Sequence, residues 1–125
     1  MSIEVVPEPQ ASTLLLNTFC VTAQRSPELL QRLQRLGLGT VTLSNAVIVF
    51  NTGYYKYALI VSVGDCVRLT VSNTDEPGQY HRVHEFQTTY PSLSRLLGEA
   101  VHRIRDHLNQ HGSRALGYIK GSHGG

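Results

Sequence analysis

Leu93, Leu96, Leu97, Ala100, Val101, Ile104 and Leu108 recur at steps of one, three and four, the spacing that aligns on one side of an α-helix. So continuous an apolar stripe has to cover another layer, and this restricts the chain to folds that supply one. The spacing predicts a helix over residues 93–111, with Pro91 early, Ser92 as its cap and Gly112 as its terminator. Gly98 lies beside the stripe, at a cost of about 1 kcal/mol in helix propensity.

The layer under that helix is encoded upstream. From Thr40 the apolar period falls to two and β-branched and aromatic residues accumulate. Residues 40–43 and 46–50 read as two short strands, or as one strand broken by a bulge at Ser44 and Asn45. Asn51-Thr52-Gly53 has hairpin chemistry. A strand over 54–63 follows, with Tyr55, Tyr57, Leu59, Val61 and Val63 on one face. Gly64-Asp65 reverses the chain, and 66–72 puts Val67, Leu69 and Val71 on one face. Residues 73–78 form an exposed loop, and 79–87 an edge strand with mixed faces.

Before this run, Ser26-Pro27 starts a helix over 27–36 whose Leu29, Leu30, Leu33 and Leu36 face the sheet, and Gly37 ends it. Residues 13–23 read as an inner strand, because Leu14-Leu15-Leu16 is apolar on both faces of an extended chain. The expected architecture is therefore α+β: an antiparallel sheet of about five or six strands with two helices packed on one face. Residues 1–12 are expected to form an N-terminal arm, 13–120 a single domain, with a short strand at Tyr118 and Ile119, and 121–125 a flexible tail. A chain of 125 residues, 41% hydrophobic and 16% charged, suits one folded domain and neither disorder nor a fold dominated by membrane spans. The apolar runs are too short to span a bilayer and no export signal is visible, which points to a soluble, cytoplasmic protein with no membrane partner. Cys20 and Cys66 lack a Cys-x-x-Cys spacing, so sequence neither assigns nor excludes a disulfide between them, and two buried thiols are the reading preferred.

Charge is uneven. Residues 1–78 carry five basic and six acidic groups, and residues 79–125 carry six and three, along with all six histidines. Below about pH 6.5 those histidines add to the positive excess of the second part.

Three functional classes follow. The first is a protein-interaction or assembly module, self-associating as a homodimer or binding another protein. Its surface would be a sheet face bearing Tyr54, Tyr55 and Tyr57, whose rings offer large area with few rotatable bonds. Closure of that face into a small barrel is the structural alternative. The second class is a nucleic-acid binder using Arg95, Arg103, Arg105 and Arg114 on the basic side of the last helix, although Glu99 and Asp106 interrupt that field. The third is a small enzyme with a histidine-containing pocket. His81 and His84, three apart on a strand, should point to opposite faces, which counts against a shared site with Glu85. His102 and Asp106 read as helix-surface neighbours. No catalytic or metal-ligand motif and no phosphate loop is present, so no cofactor is expected.

Overall fold

A computed structural model of the chain describes residues 9–62 and 66–122, with side chains to Gly112. Its elements are β1 (Gln10–Ala11), α1 (Ser12–Arg25), α2 (Pro27–Gln34), β2 (Thr40–Ser44), β3 (Val47–Asn51), β4 (Tyr55–Ser62), β5 (Cys66–Asn73), β6 (His81–Glu85), β7 (Thr89–Tyr90) and α3 (Leu93–Ser122). The fold is α+β, and the described residues form a five-stranded antiparallel sheet in the order β2-β3-β4-β5-β6, a separate β1-β7 ribbon, and three helices rather than two. Residues 1–8 of the expected arm, Val63 at the expected strand end, the expected Gly64-Asp65 reversal and residues 123–125 lie outside the described residues.

The additional helix is α1, where the sequence predicts a strand. Its buried residues Ser12, Leu16, Phe19, Cys20 and Ala23 are spaced four, three, one and three apart, one side of a helix. Alternation would have put Leu14 and Leu16 on the same face, yet Leu14 is 55% exposed and Leu16 fully buried. The start of α1 is anchored, since Ser12 donates through its hydroxyl to the Gln87 carbonyl at 2.6 Å and through its amide to the Thr88 carbonyl at 3.0 Å.

Helix α2 follows after Ser26, which holds the extended N-cap backbone but makes no side-chain capping bond, and Pro27 opens the helix. It ends at Gln34, two residues before the expected Leu36, and Gly37 then takes a positive φ of 74°. Eight residues cannot hold a helix alone in water, so α2 depends on packing through Leu33, with Leu29 and Leu30 partly buried.

Residues 40–51 are two strands and not one bulged strand. Ala46, at φ 54°, turns the β2-β3 hairpin. The β3-β4 hairpin is tied by the Thr52 hydroxyl, which donates to the Tyr55 carbonyl at 2.7 Å, and by the Gly53 amide, which donates to Asn51 Oδ1 at 3.1 Å. Strand β6 is an edge, as expected, and its register against β5 slips by one residue at Leu69/Thr70.

Register divides the sheet into two unlike faces. Ile48, Phe50, Tyr57, Leu59, Val67 and Leu69 point to one side and are fully buried with Leu16 and Cys20 of α1 and Leu96, Ala100 and Ile104 of α3. The helix layer lies on that side. The opposite side presents Val47, Val49, Ala58 and Ile60, all only half-buried. Helix α3 does not stop at Gly112, and its backbone continues to Ser122, so Tyr118 and Ile119 lie in a helix and not in a short strand. Gly112, Gly117 and Gly121 each cost about 1 kcal/mol in helix propensity, and the helical backbone runs through all three. Gly121 and Ser122, assigned to the tail, are helical too.

Candidate interaction surfaces

Tyr54, Tyr55 and Tyr57 do form one cluster. The Tyr54 and Tyr55 ring centroids are 4.7 Å apart and nearly perpendicular, and those of Tyr55 and Tyr57 are 6.3 Å apart. A compact tyrosine cluster of this kind is consistent with a small interaction module. Its location differs from expectation: Tyr55 and Tyr57 are 4% and 0% exposed because their face is the one α3 covers, and Tyr54, just before β4 and packed on the Tyr55 ring, is 5% exposed. The rings are core, and any surface that binds must lie elsewhere.

Burial has organised the polar ends of these rings. The Tyr57 hydroxyl and His107 Nδ1 are 2.6 Å apart. Burial, with Tyr55 beside it, pushes the Tyr57 pKa well up, while burial and then neighbouring His111 push His107 below its usual value. Both effects favour the neutral pair, in which the Tyr57 O–H donates to Nδ1. His107 also meets the Tyr55 ring edge-on at 5.0 Å and lies against the His111 ring, tilted by 36° with centroids 4.4 Å apart. Tyr54 reaches outward and donates to Asp75 at 2.5 Å, pinning the 73–78 loop.

Among the described residues, His81, His84 and His102 divide between the two flanks of α3. His81 and His84 pair with Val71 and Leu69, neighbours on one side of β5, so the slip that leaves Val83 unpaired puts both histidines on the same face. Their expected opposition is therefore corrected by a bulge. They still take separate partners: His81 Nε2 lies 3.5 Å from Glu76, and His84 Nε2 lies 3.0 Å from Glu99. Glu99 also accepts a short hydrogen bond from the Tyr90 hydroxyl and lies 3.9 Å from Arg103. Burial and then Glu99 raise the Tyr90 pKa, keeping that hydroxyl a donor. Sequence reading takes Glu99 for a surface charge, because the residues it joins on β6 and β7 are distant in the chain. His81 and His107 line a cleft of about 240 Å³ with Arg103 and Asp106, whereas His102 lines a different groove. Among the described residues, no three His, Cys, Asp or Glu side chains are grouped to hold a metal ion.

The arginines are dispersed. Arg103 faces Glu99, while Arg105 donates to the Leu36 carbonyl at 3.0 Å on the other flank of α3. Arg95 lines a cleft with Tyr90, Pro91 and Glu99, and the Arg114 side chain lies outside the described residues. Among the described residues, no helix is long and apolar enough to cross a membrane.

The surface that sequence reading misses is the open side of the sheet. Val47 pairs with Ile60 and Val49 with Ala58, forming a contiguous apolar block across β3 and β4. Thr40, Thr42 and Ser44 of β2 border it on one side, and Arg68 of β5 with Arg82 and Glu85 of β6 on the other. Arg68 and Arg82 lie 3.5 and 3.0 Å from Glu85. A hydrogen bond from the Cys66 thiol, helped by these two arginines, holds the Glu85 carboxyl below its ordinary pKa. The signal for this face was the other half of the same alternation: Lys56, Ala58 and Ile60 alternate with Tyr55, Tyr57, Leu59 and Val61. Comparison of the chain with protein-family models, curated proteins and solved structures finds no match.

Proposed function

We propose that the chain is a protein-interaction module that self-associates as a homodimer through the open side of its sheet. The observation carrying this reading is the Val47, Val49, Ala58 and Ile60 block, which no described helix covers. A second copy suits the face because its borders are complementary. A two-fold axis along the strands, between β3 and β4, would set the β2 hydroxyls of one copy against Arg68 of the other. Two such sheets would pack about 10 Å apart, with their strands nearly aligned.

Size sets the strength. Five strands at about 4.8 Å spacing and roughly six residues in length cover about 500 Å² per copy, or about 1,000 Å² in total. That lies at the lower bound for a specific interface, so the dimer is weak and concentration-dependent. In this reading the protein works in the cytoplasm, where a core thiol such as Cys20 stays reduced.

Sedimentation velocity over a range from about 10 µM to about 1 mM tests the reading. The sedimentation coefficient should rise with concentration for the wild type and stay monomeric for Val49→Lys. A wild-type chain that remains monomeric throughout, or an equally dimeric variant, contradicts it.

A further inference from the structure

A second uncovered surface lies on the helix layer, remote from the open sheet face. Leu29, Leu33 and Leu36 from the α2 region and Leu93, Leu97 and Val101 from α3 form the walls of a groove of about 640 Å³. Phe19 of α1 lies between them and also lines a neighbouring hollow of about 320 Å³, which extends the trough past Leu14 and Leu15. The α3 wall from Leu93 to Arg105 is about 18 Å long at 1.5 Å per residue, room for roughly three turns of a docked helix.

Three observations identify the occupant. Among the described residues, the charged or ionisable side chains lining the groove are Arg32, Arg105 and His102, and no carboxylate lines it. The trough is open along its length, whereas a small ligand is normally buried over about 70–90% of its surface. Its apolar positions come from paired helices at three- and four-residue steps, which match the ridge of a third helix. We infer that the trough docks an amphipathic helix of a partner protein, whose apolar ridge is bordered by carboxylates that meet Arg32 and Arg105.

Gly98 provides the test. A Cβ built there meets no heavy atom within 4 Å, so a larger side chain enters the groove without a backbone clash. Losing the glycine also favours the helix, so Gly98→Phe should fold at least as well as the wild type. The probe is a fluorescent helical peptide of about four turns, with leucines at three- and four-residue steps and glutamates on both flanks, measured by anisotropy. A second probe carries lysine in place of each glutamate.

The wild type should bind the glutamate peptide at micromolar concentration and the lysine peptide at least about tenfold more weakly. Gly98→Phe should abolish binding with thermal stability retained, and Arg32→Glu should reduce or invert the preference between peptides. Ile60→Lys, on the open sheet face, should leave peptide binding unchanged, so this inference and the proposed dimer fail independently. Absence of binding at about 1 mM, equal binding of both peptides, or full binding by Gly98→Phe overturns the inference. So does preferential displacement of the peptide by decanoate, which would mark a small-ligand site. Loss of self-association in Gly98→Phe would assign the groove to a second copy, and equally overturns it.

Discussion

At Gly39 the backbone has φ 79°, and a Cβ built there would lie 2.0 Å from the Asn51 carbonyl oxygen. Gly98 sits in an ordinary helical backbone with open space around it. Opposite outcomes are expected on urea denaturation: Gly39→Ala loses roughly 2 kcal/mol or more, and Gly98→Ala gains about 1 kcal/mol. Composition made these glycines look alike, because what distinguishes them is the positive φ of residue 39 and the Asn51–Thr52 backbone packed against it. At His107 the consequence is a pH dependence. Its folded pKa is lowered by burial and His111, below an unfolded value near 6.5, so the unfolded chain binds more protons in that window. Its contribution to stability is complete above about pH 6.5 and diminishes as the pH falls toward and through the folded value. Thermal melts should therefore show stability declining from pH 7.5 to pH 5, with a shallower slope in His107→Gln; an identical slope in that variant contradicts the assignment.

Among the elements, α1 is where local pattern and tertiary structure part. Leu14-Leu15-Leu16 and the β-branched Thr18, Val21 and Thr22 favour an extended reading, but docking of Ser12 on Gln87 and burial of Leu16, Phe19, Cys20 and Ala23 select a helix. Leu14→Ala and Leu16→Ala separate the two. On a strand these residues share a face and the substitutions would cost alike. On this helix Leu16→Ala should lose about 2–5 kcal/mol and Leu14→Ala less than about 0.5 kcal/mol, measured by denaturant melts. The α3 stripe, α2 and the strands from Thr40 to Ser72 were legible, because each buries a single face and its period survives in the sequence. The bulge at Val83 was not. Which face His81 and His84 take depends on pairing with β5, and no residue of β6 encodes the slip alone.

For the whole molecule, alternation showed that the two faces of the sheet differ, but not which one the helices would choose. The helix layer takes the face with Tyr55, Tyr57 and Leu59, since those side chains offer more apolar area to bury than Lys56, Ala58 and Ile60. This choice moves the tyrosines from the expected surface into the core and leaves the valine and isoleucine block outside. Val49→Lys should therefore change the melting temperature little at concentrations where the wild type is monomeric, because its position is only half-buried. The most direct measurement is a dilution series followed by methyl NMR. Association through the open sheet predicts concentration-dependent shifts at the methyls of Val47, Val49 and Ile60, with those of the buried Leu59 and the groove-lining Leu29 and Leu97 unmoved. Unchanged spectra at every concentration, or shifts confined to the groove, contradict it.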